Sequence, residues 1–343
     1  MTTAVADRQE SGTGHDRQRS GRPSPLGQFA SKYGLVGLLV AAITFFALWP
    51  RTSDTFASRA NIDNLLADQT VVTVMALAIM LPFVAGCFDI SAGATTAVSA
   101  VVTASVMDRF GLSVAVAVAL ALASGLLIGA VNGFAVARLG LNSIIFTLAM
   151  TTVLTGLLQW YTSGLSINAR HSDLLIRIGS DKILGIPAST YVLVLSALVI
   201  WYLLEHTPYG RRLRATGVNG EAARLVGVDV SSTVMLSFIL AGGLAAVAGI
   251  VLSARNGAAN PGDGQGLLFP ALAAVFLGTT AIRPGQFNVG GTVLGVFFVA
   301  CCVSGLNLAG VKPWVQPVFN GAALAAAVTI STLGARHDAQ RRH

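Results

Sequence analysis

Charge is scarce in this chain. Asp, Glu, Lys and Arg make up 11% of its 343 residues, and lysine occurs only at Lys32, Lys182 and Lys312. None of these follows a glycine, so there is no G-x4-G-K-[ST] loop and no means of handling a nucleotide alone. Cys87, Cys301 and Cys302 lie in apolar surroundings without C-x2-C spacing, which excludes a disulfide framework and a zinc site and leaves packing roles. The five histidines (His15, His171, His206, His337 and His343) are spread over tails, loops and one run edge, with no H-E-x-x-H. No metal and no cofactor are therefore expected. Chains of Asp, Glu and His inside the apolar runs, which proton-coupled transport requires, are also missing. The net charge of +7 comes without a basic stripe interleaved with aromatics, so no nucleic-acid partner is expected.

What the chain has in excess is apolar length. Its hydrophobic content is 54%, with 37 glycines and a mean hydropathy of +0.70, outside the soluble range. Crossing a bilayer core of about 30 Å takes about 20 residues. Runs near 35–49, 65–85, 90–107, 112–137, 143–162, 188–204, 230–253, 267–281, 289–308 and 314–333 predict an all-α polytopic membrane protein with about ten spans. The runs 90–107 and 267–281 are short enough to be half-helices, which leaves eight or twelve spans open. Residues 1–32 read as a disordered cytoplasmic tail, 33–334 as the membrane domain and 335–343 as a second cytoplasmic tail. With ten spans and both termini inside, most of the 22 Lys and Arg face the cytoplasm, as the positive-inside rule requires.

The strongest polar interruption is the loop 207–230, which holds Arg211, Arg212, Arg214 and Arg224. Within it, Glu221 to Val226 have good helix propensity, Asn219 can cap the start, and Gly227 can stop the helix in a left-handed turn. Charge alone makes this a solvated, topology-fixing loop. The string Glu221-Ala222-Ala223-x3-Gly227, however, resembles the EAA-x3-G coupling helix of ABC-importer permease subunits. The flanking Thr207-Pro208-Tyr209-Gly210-Arg211 and Gly227-Val228-Asp229-Val230 resemble the ribose-type permeases of that family.

A second signal is Gly86-Cys87-Phe88-Asp89-Ile90-Ser91-Ala92-Gly93, where an apolar run breaks and restarts beside an acid. A carboxylate at membrane depth is costly and needs donors or a cavity. Asp89 and Ser91 read either as caps of the next helix or as groups on a path, since both roles use the same geometry. The segment resembles G-G-I-D-L-S-V-G of sugar-type permeases, with Cys87 in place of the second glycine. Gly305-Leu306-Asn307-Leu308-Ala309-Gly310-Val311 is similar to that family's G-L-N-L-x-G-V, so the resemblance extends from about residue 65 to 333. Two departures stand out. Gly264-Gln265-Gly266-Leu267 lacks the acidic pair usual in ribose-type permeases, and Ile282-Arg283-Pro284-Gly285-Gln286-Phe287 replaces a Gly/Ser-rich break.

Two places, 83–93 and 271–292, share the order apolar run, break, small polar restart, which hints at an internal duplication. Gly125-x3-Gly129-x3-Gly133 and Gly291-x3-Gly295 read as close helix contacts. Asn132, Asn142, Thr147, Gln159, Asn307, Gln316 and Asn320 individually suit interhelical hydrogen bonds; as a set they suit a neutral polyhydroxyl solute.

The resemblance implies the translocation subunit of an ABC importer in the bacterial inner (plasma) membrane. Arg211, Asn219, Glu221, Ala222, Ala223 and Gly227 would couple to a separate ATPase subunit, and Asp89, Ser91, Asn132, Asn142, Thr147, Asn307 and Asn320 would line the path. Its partners would be that ATPase, an extracytoplasmic solute-binding protein, a second permease copy or a sister permease, and membrane lipid. It would not itself be an enzyme. Two alternatives are a secondary transporter using Asp89 for ion coupling, and a membrane enzyme or scaffold, for which no catalytic cluster is present.

Overall fold

An apolar run that must satisfy its own backbone inside a membrane has one solution available to a single segment, the helix. All ten runs take it. The computed structural model describes residues 25–168 and 173–340. In chain order these form α1 (Pro25–Leu48), α2 (Ser53–Phe56), α3 (Arg59–Val84), α4 (Ala92–Asp108), α5 (Val114–Ala137) and α6 (Ser143–Thr162). After β1 (Ile167–Asn168) come α7 (Asp173–Ser180), β2 (Lys182–Ile183), β3 (Ile186–Pro187), α8 (Ala188–His206), α9 (Pro208–Val218) and α10 (Gly220–Leu225). The chain closes with α11 (Val230–Asn256), β4 (Ala258–Ala259), α12 (Asp263–Gly278), α13 (Val289–Leu308) and α14 (Val315–Gln340).

Six of these (α3, α5, α6, α8, α11 and α13) are long and apolar enough to cross a membrane. Shorter apolar stretches are Tyr33–Leu48 of α1, all of α12, and Val315–Thr329 of α14. Helices α4 and α12 have 17 and 16 residues, or roughly 25 Å at 1.5 Å per residue, short of a full bilayer core.

Three boundaries differ from expectation. Helix α1 begins at Pro25, inside the stretch expected to be a tail, because proline is well placed in a first turn and Leu26, Phe29 and Ala30 already extend the apolar run. The rest of that tail, 1–24, lies outside the described residues. Helix α14 continues to Gln340, through most of the second expected tail; 341–343 lie outside the described residues. The central loop contains two helices instead of one, since Thr207 and Pro208 start α9 ahead of α10.

The packing shows an inverted repeat that pairs the helices differently from the sequence echo. Helices α3–α6 correspond to α11–α14: α4 packs on α5, α6 and α11 as α12 packs on α13, α14 and α3, and α5 lies on α11 as α13 lies on α3. The break at 85–91 therefore matches the short turn before α12, and the break at 279–288 matches the turn between α4 and α5. Direction is set by contacts at both ends. Asp68 near the start of α3 pairs with Arg255 at the end of α11, while the end of α3 and the start of α11 both reach α9. The halves thus run oppositely, as in many transporter folds. Where they meet, the N-terminal turns of α4 and α12 touch through equivalent glycines. A Cβ on Gly93 would lie 2.8 Å from the Gly264 carbonyl oxygen, and one on Gly264 2.1 Å from that of Gly93.

The centre of the bundle is α3, whose residues from Val74 to Leu81 have no solvent contact. Its long partner is α11, which also receives α5 edge to edge. A Cβ on Gly125 or Gly129 would lie 2.4 or 2.3 Å from the carbonyl oxygens of Gly242 and Phe238, so the glycine stripe brings two backbones into direct contact.

Candidate functional site

The end of the bundle where α3 finishes carries α9 and α10, the stretch expected to couple to an ATPase. Thr207 caps α9 by accepting from the Gly210 N–H at 3.3 Å. Asn219 then ends α9 and starts α10, its side-chain oxygen accepting from the Ala222 N–H at 3.0 Å. Gly227 has φ +84, and around it the N–H groups of Gly227 and Val228 donate to the carbonyls of Arg224 and Ala223 at 3.0 Å each. This is the glycine stop the sequence predicts. Ala223 is buried, whereas Arg211, Glu221 and Ala222 are exposed. Val218, Leu225 and Val226 are 88%, 89% and 79% exposed. Scattered apolar residues on a surface mean little, but three at the tips of adjoining short helices form a contact patch.

Beneath the patch, α9 is fastened to the bundle. A Cβ on Gly217 would lie 2.0 Å from the Val84 carbonyl oxygen, so α9 sits directly on the end of α3. The Tyr209 hydroxyl donates to the Thr233 carbonyl of α11 at 3.3 Å, and burial pushes this phenol well above its ordinary pKa. Glu205, in the last turn of α8, accepts from Arg214 of α9 and from Arg283 of the α12–α13 loop, the latter at 2.5 Å. These links tie α9, which continues into α10, to α3, α8, α11 and the α12–α13 loop. The sequence reading missed Glu205 and gave Arg283 no partner, noting it only within the departure at 282–287. An acid in the last turn of an apolar run was the one available signal.

Close to this end lies the first polar cluster. The backbone is non-helical between α3 and α4, and side chains satisfy it: Ser143 accepts from the Phe88 N–H and Thr147 from the Ile90 N–H, both at 3.1 Å. The Asp89 carboxylate accepts from the Ser91 N–H at 2.9 Å and its hydroxyl at 2.6 Å, and the Asn132 amide donates to that hydroxyl at 2.7 Å. Asp89, Ser91, Asn132 and Thr147 are all buried. The Asn132 Oδ1 has no partner. Asn142 stands apart as the cap of α6, accepting from Ile144 and Ile145. Next to the cluster the rings of Phe83, Phe88, Phe276 and Phe287 pack in tilted and edge-on pairs at centroid distances of 4.7 to 5.9 Å.

The second polar cluster is at the opposite end. A cavity of about 450 Å³ opens between the N-terminal half of α3, the starts of α12 and α14 and the C-terminal half of α13. Its polar lining comes from Asn61, Asn64, Gln69, Ser304, Asn307, Gln316 and Asn320, with one carboxylate, Asp68, that pairs with Arg255. Ser304 donates to Asn61 at 3.0 Å. Asn320 is 7% exposed, and its Oδ1 has no partner. Six of the seven expected path residues thus fall into two groups at the two ends, while the seventh, Asn142, caps α6; Gln159, also named among the polar side chains of the runs, is exposed on α6. Among the described residues, no group of three His, Cys, Asp or Glu side chains is placed to hold a metal ion.

A family model described as "Branched-chain amino acid transport system / permease component" matches residues 61–328. The chain belongs to that permease family. Within it, the chain is 34% identical over 295 residues to the ribose import permease of Escherichia coli K12, covering 85% of this chain and 92% of the relative. The ribose import permease of Bacillus subtilis is 32% identical over 296 residues, 86% and 90% of the two chains. The L-arabinose transport system permease of Escherichia coli K12 is 30% identical over 309 residues, 90% and 94%. No solved structure matches the chain. Both the residues that line the cavity and the stretch 207–230 fall inside the region that the family model matches. Membership in this family sets aside the ion-coupled alternative.

Proposed function

We propose that this permease is the translocation subunit of an ATP-driven importer for a sugar or a similar neutral polyhydroxyl solute. The observation that carries the proposal is the EAA-x3-G stretch folded as a capped, glycine-stopped helix with Glu221, Leu225 and Val226 presented to solvent. That is the form a cleft on a separate ATPase subunit would grip. Arg211, Asn219, Glu221, Ala222, Ala223 and Gly227 serve the coupling, Asn219 and Gly227 by shaping the helix and the others at or under its surface. The names of the ribose and L-arabinose relatives, and the amide-rich cavity, support a sugar-class solute, for which amides and hydroxyls suit better than fixed charges.

The chain sits in a bacterial inner membrane with both termini and α9–α10 on the cytoplasmic side. It works with an extracytoplasmic solute-binding protein at the cavity end and with a second copy or a sister permease. Co-purification from native membranes in mild detergent tests this. The expected result is recovery of an ATPase that is lost from the Glu221→Lys, Gly227→Leu double variant. Recovery of the chain alone, in a form that moves solute without ATP, overturns it.

A further inference from the structure

Apart from the cavity, the bundle has a second hollow. Between the C-terminal halves of α4 and α6 runs a crevice of about 420 Å³, a volume in the range of ligand pockets. It shares no lining residue with the cavity. Its walls are apolar: the valines from Val98 to Val106 on α4 and the leucines from Leu154 to Leu158 on α6. Its mouth is at the far end of the bundle, because Val106 and Met107 share a hydrophobic cluster with Ala254, the neighbour of the Arg255 that pairs with Asp68.

Two polar side chains stand against these walls at different depths. Ser105 lines the crevice, is 3% exposed, and its hydroxyl has no partner. One turn further on, Arg109 lies at the mouth, with its guanidinium carbon 4.6 Å from the centre of the Tyr161 ring and one N–H donating to the Tyr161 carbonyl at 3.5 Å. Arg109 is exposed and forms no ion pair among the described residues. Asp108 beside it is also exposed and has a partner of its own. Trp160 and Tyr161, 79% and 36% exposed, complete the rim, and these two residue types mark the headgroup level of a bilayer. From Ser105 to Arg109 the helix rises about 6 Å. That matches the roughly 5–8 Å of polar interface on each side of a bilayer core.

We propose that the α4–α6 crevice binds one glycerophospholipid, with its phosphate on Arg109, an ester carbonyl on the Ser105 hydroxyl and an acyl chain along the valine and leucine walls. Arginine suits this place twice over. Its planar fork pairs with phosphate oxygens two at a time, and its stem can lie on apolar surface while the head stays in water. The lipid gives the buried Ser105 hydroxyl the acceptor it lacks. It also splints α4 to α6, so binding raises thermal stability by mass action. The proposal requires only that the chain spans a membrane; in the importer orientation the lipid belongs to the leaflet facing away from the cytoplasm.

The full chain, with any subunits that travel with it, is delipidated in mild detergent and then given one of three probes. These are dioleoylphosphatidylglycerol, dioleoylglycerol, which lacks the phosphate, and glycerol 3-phosphate, which lacks the chains. Native mass spectrometry counts bound lipid, and a melting curve reads stabilisation. One tightly held phospholipid per chain is expected, with a melting temperature raised by the phospholipid alone. Arg109→Gln should weaken binding by about tenfold or more, as loss of a charge-assisted bond does, and Arg109→Lys should recover part of it. Ser105→Ala should weaken binding several-fold. Leu157→Trp fills the crevice from a position that is 54% exposed and should abolish binding with Arg109 intact. A rise with dioleoylglycerol or glycerol 3-phosphate equal to that with the phospholipid overturns the proposal. So does unchanged binding in either Arg109→Gln or Leu157→Trp. A disulfide between two chains carrying Leu157→Cys, in a background without the native cysteines, would place a second copy in the crevice and overturn it too. None of these outcomes touches the importer reading, which stands on α10.

Discussion

The two halves share one packing scheme and use it under different tolerances. Where α5 meets α11 the contact is backbone on backbone, set by Gly125, Gly129, Gly133 and Gly242. Where the equivalent α13 meets α3, the gap is filled by side chains, with the Thr292 hydroxyl 3.4 Å from the Met80 sulfur. The first contact admits one geometry; the second is adaptable, because methionine fills irregular space in several conformations. Both contacts join the two halves, the rigid one through α5, which carries Asn132 of the bonded cluster, and the adaptable one through α13, which lines the cavity. A transporter that changes shape needs both a fixed frame and a compliant part, and here the two are assigned to different seams between the halves.

Breaking the rigid contact should have the largest effect. Gly242→Leu puts a side chain where a Cβ alone would lie 2.1 Å from the Gly125 carbonyl, and loss of folded protein from the membrane is expected by detergent-extracted gel filtration. Met80→Leu at the compliant contact should cost less than about 1.5 kcal/mol, the usual bound for a volume-conserving swap. Equal damage from both would erase the distinction.

The next effect concerns function without folding. Gly227→Leu strains a left-handed position by about 1–2 kcal/mol and re-aims α10, and Glu221→Lys reverses the charge on its exposed face. Each variant should insert normally while ATP-driven uptake falls by about 5–150-fold, the usual span of a coupling free energy. Asp89→Ala removes the acceptor of two Ser91 bonds in the bonded cluster and should lower uptake more than it lowers the yield of assembled protein. Equal losses would return Asp89 to a plain capping role.

Arg283→Ala leaves Glu205 with Arg214 alone and should weaken coupling only several-fold, since a partly exposed pair contributes roughly 0.2–1 kcal/mol. Smallest of all is the cap of α11. The Ser232 hydroxyl and N–H hold the Asp229 carboxyl below its usual pKa. A depressed folded pKa means that the stabilisation is present above about pH 4, the unfolded value, and is lost as pH falls through the folded one. The melting temperature of Asp229→Ala should lie slightly below that of the parent at neutral pH, and the gap should close in acid.

Much of this architecture is legible in residue order because a membrane span is a local feature. All ten apolar runs form helices, and Asn219 and Gly227 bound α10 as their side-chain chemistry dictates. Features that depend on distant partners are less legible. Helix α9 is hidden by its arginines and glycines until Thr207 and Pro208 are seen to start it. The strands β1 to β4 have two residues each and exist only through their pairing. The repeat is readable but its register is misleading: the breaks at 85–91 and 279–288 look alike because each is polar, whereas the packing pairs each of them with a short turn. Asn132 and Thr147 belong with Asp89, and Asn307 with Asn320, and only the crossing of helices far apart in sequence shows that division.

The central claim is that force enters through α10 and is supplied by ATP. Its most direct test is solute uptake by proteoliposomes holding the co-purified complex, with loaded binding protein inside and ATP confined to the outer, α10-facing medium. The account predicts ATP-dependent export of the solute from the binding-protein side to the α10 side, lowered by about 5–150-fold in Gly227→Leu while hydrolysis continues. Movement at the same rate without ATP, or unimpaired movement in Gly227→Leu, would contradict it.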